Sequence, residues 1–110
     1  MANADENELS GFGRFSEPAL LILISLAGGA KHGYAMTEDI QASTGVKLGP
    51  GTLYGALSRL ESKGLIEVLA SDDRRRIPYR LTGAGEKSLR EQLVAMRAMA
   101  RLVEGRLADA

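Results

Sequence analysis

Two short stretches hold the side chains best suited to gripping a charged partner: LGPGTLYGALSRLESKGLI, from Leu48 to Ile66, and DDRRR, from Asp72 to Arg76. In the first, Leu53, Leu57 and Leu60 recur at i, i+4 and i+7, which lines one face of a helix. The opposite face carries Gly51, Gly55, Ser58, Arg59 and Ser62, and Thr52 adds a hydroxyl near the helix start. Arg59 is the one long donor on that face; its guanidinium can reach a guanine edge with two hydrogen bonds, or a phosphate. A small, polar helical face can approach closely, and the major groove of B-DNA admits a helix. Arg74, Arg75 and Arg76 form a compact cationic group suited to phosphates, although Asp72 and Asp73 beside them offset part of the charge. Lys47, just ahead of the helix, is a further candidate for a phosphate contact.

Other chemistries find little support. There is no cysteine, and the single histidine, His32, has no partner at ligand spacing, so no disulfide or metal site is expected and His32 reads as a connection between helices. No Cys–His pair, G-x-S-x-G or phosphate-binding loop occurs, so neither a catalytic centre nor a cofactor is expected. The longest apolar run, Ala19–Ala27, is interrupted by Ser25 and too short to span a bilayer; the first residues are acidic and polar, unlike a secretion signal. A cytoplasmic protein without a membrane partner is the expectation. Net charge is zero, which weighs against nucleic acid, yet residues 1–44 carry two Lys or Arg against six Asp or Glu, whereas residues 45–82 carry seven against four. Positive charge thus gathers around the small polar helix face.

The elements that must hold these groups follow from periodicity and punctuation. Residues 1–16 are polar and aperiodic and read as a mobile arm. Ser16 is a candidate N-cap for a central, nearly all-apolar helix Glu17–Ala27, ended by Gly28 and Gly29. A second helix, Gly33–Ser43, buries Ala35 or Met36 together with Ile40, and Gly45 closes it. A third, Pro50–Lys63, has proline in its first turn and Gly64 where a left-handed cap belongs. Leu65–Ser71 and Arg76–Thr82 then read as two strands, with Ile77, Tyr79 and Leu81 on one face and the arginines at the hairpin tip. Pro78 cannot donate to a ladder, so its strand is expected at an edge. Three helices and a basic hairpin make a winged helix–turn–helix, mainly α with a two-stranded wing, spanning residues 17–82.

Residues 83–110 return to a helical period. Leu89, Leu93, Met96, Ala100, Val103 and Leu107 step by 4, 3, 4, 3 and 4, a heptad seam. With nothing left in its own chain to cover that stripe, the helix is expected to pair with a second copy. Met96 and Met99 read as interface core, an adaptable ligand cavity being the alternative. Gly83–Gly85 reads as a hinge between wing and dimer helix.

HGYAM (His32–Met36), LGPGTLYGALSRLESKGLIE (Leu48–Glu67) and RRRIPYRLTGAGEKSL (Arg74–Leu89) together resemble the signature of the PadR-like transcriptional regulators. The resemblance covers roughly Leu20–Leu93, and the single C-terminal helix is similar to the short branch of that family. It implies a dimeric bacterial repressor, often of a neighbouring gene for a transporter or for detoxification of small molecules such as phenolic acids. It also implies that Tyr34 and Tyr54 lie near the DNA surface. Some relatives have proline where this chain has Gly55, and some drug-sensing members use a tryptophan that this chain lacks.

The expectation is therefore a homodimer that sets two helices into successive major grooves of a palindromic duplex, about 34 Å apart. Tyr34, Lys47, Gly51, Thr52, Tyr54, Gly55, Ser58, Arg59 and Arg74–Arg76 would meet the DNA, and a small-molecule effector is a candidate partner that alters the spacing between the two helices. The rival reading is a winged-helix module that recruits a protein through its Met- and Leu-bearing helix and binds no nucleic acid.

Overall fold

The computed structural model describes residues 17–110; the arm at residues 1–16 and the expected Ser16 cap lie outside them. Its elements are α1 (Pro18–Ala27), β1 (Lys31–His32), α2 (Gly33–Thr44), α3 (Pro50–Ser62), β2 (Ile66–Val68), β3 (Pro78–Leu81) and α4 (Gly83–Ala108).

Helix α1 is the centre of the core. Glu17 occupies its cap position without a side-chain hydrogen bond, and Pro18 opens it, where a missing N–H costs nothing. Leu20, Leu21, Ile22, Leu23 and Leu26 are all buried, as an apolar helix wrapped on several sides should be. Against α1 pack Met36 and Ile40 of α2, then Leu53, Ala56, Leu57 and Leu60 of α3, with Ile66 of β2 closing the cluster. Met36, rather than Ala35, is the fully buried member of its pair.

One polar contact fixes the pairing of α1 with α2. Ser25 is buried at 4% exposure, and its hydroxyl donates to Asp39 Oδ2 at 2.6 Å. Ser43 Oγ donates to the other carboxylate oxygen at 3.2 Å, and Lys31 Nζ stands 3.9 Å from Oδ2. The Ser25 hydroxyl, with Ser43 and Lys31 assisting against partial desolvation, holds the Asp39 carboxyl below its ordinary value of 3.8. A folded-state value below the unfolded one stabilises the fold above about pH 4 and loses that stabilisation as pH falls through the lowered value. Asp39→Asn is expected to unfold at lower denaturant than the parent at neutral pH. Denaturant titrations carried out at decreasing pH should bring the two midpoints together.

The sheet has three antiparallel strands in the order β1-β3-β2, not the two expected. Its β1 is only two residues long, Lys31 opposite Tyr79 and His32 opposite Pro78. The strand of Pro78 is consequently the central one, which corrects its placement at an edge. Proline is tolerated there because Pro78 is the first residue of β3. Its carbonyl accepts from Leu69 N at 2.9 Å, but it has no N–H to return. The ladder lacks its second bond at that pair, and β2 ends one residue earlier, at Val68. Tyr79 and Leu81 pack against the core, whereas Ile77, beyond the strand, is exposed. Arg80 and Glu67 pair across the outer face at 2.7 Å.

Helix α4 starts where Thr82 caps it, its hydroxyl accepting from Gly85 N at 3.1 Å and donating to Gly64 O at 2.6 Å. Thr82 N donates to Leu65 O at 3.1 Å. Gly85 is buried so closely on that same carbonyl that a Cβ would lie 1.9 Å from Leu65 O. Gly83–Gly85 is therefore the first turn of a docked helix, and the hinge reading is corrected. Leu89 is half-buried against the protomer's own core, so the start of the heptad stripe is covered within the chain. Further along, Leu93, Ala100, Val103 and Leu107 are exposed, and Met96 is half-buried.

Candidate nucleic-acid interface

Helix α3 is two-sided in the way its leucine spacing predicts. Leu53, Ala56, Leu57 and Leu60 are each at most 4% exposed; Ala56 is a core position that the i, i+4, i+7 count does not include. The other side presents Gly51, Thr52, Ser58, Arg59 and Ser62 to solvent, with Gly55 half-buried. Among the described residues Arg59 makes no ion pair. Its guanidinium folds back along the helix, with Nη1 3.6 Å from where a Cβ on Gly55 would stand.

Both ends of α3 are set by local backbone chemistry. Gly49 is its cap residue and supplies no side-chain bond, and Pro50 is at the first turn, so the N–H groups of Gly51 and Thr52 are left for an outside acceptor or water. At the other end Leu65 N donates to Leu60 O at 3.0 Å and Gly64 N to Glu61 O at 2.9 Å. With Gly64 at φ 74°, this is a Schellman closure, and it turns the chain directly into β2.

Helix α2 stands beside it as the first half of the helix–turn–helix. His32 caps α2, its Nδ1 accepting from Ala35 N at 3.4 Å; this gives the lone histidine a structural task that spacing alone leaves undefined. Gly45, left-handed at φ 77°, ends the helix. Lys47 is exposed in the loop that follows, ahead of buried Leu48. Tyr34 on α2 and Tyr54 on α3 are 68% and 50% exposed, and they flank a cleft of about 300 Å³ floored by Leu48 and Leu53. The two tyrosines, one from each helix of the motif, thus come together.

The hairpin tip is ordered by Asp73. Asp73 Oδ1 accepts from Arg75 N at 2.9 Å, Ser71 Oγ accepts from Asp73 N at 3.1 Å, and Arg76 N donates to Asp73 O at 3.0 Å. Arg74, Arg75 and Arg76 are exposed, and among the described residues none forms an ion pair. By residue type Asp73 is a counter-charge; the structure shows that it also folds the turn. The described residues hold no group of His, Asp and Glu placed to bind a metal ion, and no helix long and apolar enough to cross a membrane.

Comparison with known proteins agrees with this arrangement. Residues 22–91 match the model of the transcriptional regulator PadR-like family. A 37.1 kDa protein of transposon TN4556 from Streptomyces fradiae is 41% identical over 97 residues, which is 87% of this chain, and the chain spans 28% of that protein's length. The transcriptional regulator Rv3488 of Mycobacterium tuberculosis is 40% identical over 88 residues, covering 78% of this chain and 81% of the relative. A PadR family transcription regulator from Clostridium difficile R20291 superposes with a TM-score of 0.74 at 28% identity, covering 84% of this chain and 99% of that one. By motif, fold and the extent of these matches, the chain belongs to the PadR-like family of transcriptional regulators.

Proposed function

We propose that the protein is a homodimeric DNA-binding repressor. Two copies pair through the exposed apolar stripe of α4, and each presents α3 to one of two successive major grooves of a palindromic operator. The observation that carries this reading is the division of α3. Its apolar side is fully used by the core, while Thr52, Ser58 and Arg59 are exposed on the opposite side and, among the described residues, free of intramolecular ion pairs. Arg59, Ser58 and Thr52 read base edges, and small Gly51 and Gly55 permit close approach. Lys47, Tyr34, Tyr54 and Arg74–Arg76 hold the flanking phosphates. The dimer seam is Leu93, Met96, Ala100, Val103 and Leu107, with Leu89 shared between the protomer's own core and the axis.

In this reading the regulated gene lies beside the regulator's own, and encodes a transporter or a detoxifying function. A small-molecule effector would enter at α4, where Met96, Met99, Ala100 and Val103 make an open apolar face between the paired helices. Because Gly85 is locked on Leu65 O, the effector would shift each protomer as a unit about the α4 pair rather than bend it at the start of the helix.

Fluorescence anisotropy with duplexes recovered from a random pool, titrated at two salt concentrations, tests the reading. Tight, salt-steep binding is expected. Replacing Arg74, Arg75 and Arg76 together by alanine should flatten the plot of log affinity against log salt by about 0.9 for each phosphate no longer neutralised. Arg59→Ala should cost about 1–3 kcal/mol of discrimination at one base position of each half-site. A dimer that binds every duplex weakly and without preference would sink the repressor reading and favour protein recruitment.

A further inference from the structure

We propose that Gly33 is a positioning residue for DNA contact, kept bare so that Tyr54 can lay its hydroxyl across the first turn of α2 and donate it to one operator phosphate. This rests on the reading of α3 as the groove helix and adds to it a residue outside that helix. Gly33 is buried and is the first residue of α2. Its backbone does not require glycine, since positive φ occurs only at Gly29, Gly45 and Gly64 among the described residues. What excludes a side chain is contact. A Cβ at position 33 would lie 2.5 Å from Tyr54 Oη, 3.0 Å from Tyr54 Cζ and 3.3 Å from Leu53 Cδ2.

The phenol therefore occupies the space where a side chain of α2 would be, and its position is set by α2 as well as by its own helix. Half of the residue remains exposed, and among the described residues the hydroxyl has no hydrogen-bond partner. A phenol held in place with its donor unused is pre-organised for an acceptor arriving from outside, and gives up little freedom on binding it. A backbone phosphate beside the groove helix is the acceptor that the proposed complex supplies. An alanine at position 33 must push the ring aside or separate the two helices, and either moves the hydroxyl.

The test is a double-mutant cycle in the full chain, using Gly33→Ala, Tyr54→Phe and both together, with the wild-type-selected duplex as probe. Tyr54→Phe is expected to weaken binding roughly fivefold for each half-site, one net hydrogen bond apiece, and so roughly twenty-five-fold for the dimer. Gly33→Ala should weaken it at least as much, and the double variant should bind no more weakly than Gly33→Ala alone. A Gly33 with only a packing role would lower the melting temperature and leave the affinity of the folded protein unchanged, which overturns the proposal. Additive effects also overturn it. Undiminished affinity of Tyr54→Phe would remove the phosphate contact and overturn the proposal by itself, whether or not Gly33→Ala folds. Failure of the wild type to prefer any duplex would instead sink the underlying repressor reading, so the two failures are distinct.

Discussion

Gly85→Ala is expected to cost at least about 3 kcal/mol of folding stability, above the usual range for overpacking. Its Cβ would stand 1.9 Å from Leu65 O and 3.0 Å from Leu65 C, with Leu81 Cδ2 a further 3.1 Å neighbour. Backbone atoms cannot swing away as a flexible side chain can, so relief requires α4 to lift from the turn between α3 and β2. Lifting also endangers the Thr82 bonds to Gly85 and Gly64 that anchor the helix start. Against a total stability of about 5–15 kcal/mol for a domain of this kind, such a drop is severe. Gly83→Ala provides the control. Nothing lies within 4 Å of its Cβ position, and its φ is not positive, so the added methyl should raise stability by about 0.5–1 kcal/mol through lower chain entropy. Urea unfolding of the two variants beside the parent, with the slope checked for constancy, measures both.

The second expected result concerns α4. Glutamates at Met96 and Val103 together should separate the dimer and lower operator affinity by at least about a thousandfold, to the level of non-specific binding. Each substitution is doubled by the twofold axis of the proposed pair, and like charges facing one another across an interface cost several kcal/mol. Val103 is 50% exposed in the single chain and Met96 is only half-buried, so the protomer itself has little to lose. Sedimentation or light scattering should report a monomer with an unchanged melting transition at the protomer core. A double variant that stays dimeric, or that remains monomeric yet binds the operator as before, would remove α4 from the proposed mechanism.

The helices are legible in the sequence because the apolar pattern of each agrees with the punctuation at its ends. Helix α3 is bounded by Pro50 and Gly64 and striped by leucines, and it is found at Pro50–Ser62. Helix α4, expected from about Ala84 to Leu107, runs Gly83–Ala108. The sheet is harder. Strand β1 is two residues long, too short to show any alternation, and without it Pro78 has to be placed at an edge. Its central position follows from pairing with a segment some 46 residues earlier, His32. Gly33 and Gly85 are equally opaque as to cause: the one is bare because of Tyr54 and the other because of Leu65, contacts between residues about 20 apart that no local pattern encodes. Of the candidate interface, the helix face and the arginine tip are readable from residue type and spacing. What the chain cannot announce is that Asp73 spends its carboxylate on the turn, or that Tyr34 and Tyr54 flank one cleft.

The central claim is that two α3 helices, held by paired α4 helices, read one duplex with Arg59 at a base edge. Selection from a pool of random duplexes, run in parallel with the parent protein and with Arg59→Ala, addresses it directly. The predicted result is an enriched inverted repeat whose half-sites are about 10 base pairs apart, centre to centre, with the preference relaxed at one symmetric pair of positions in the Arg59→Ala pool. Enrichment of a single unrepeated site, or an identical motif from both proteins, would contradict it.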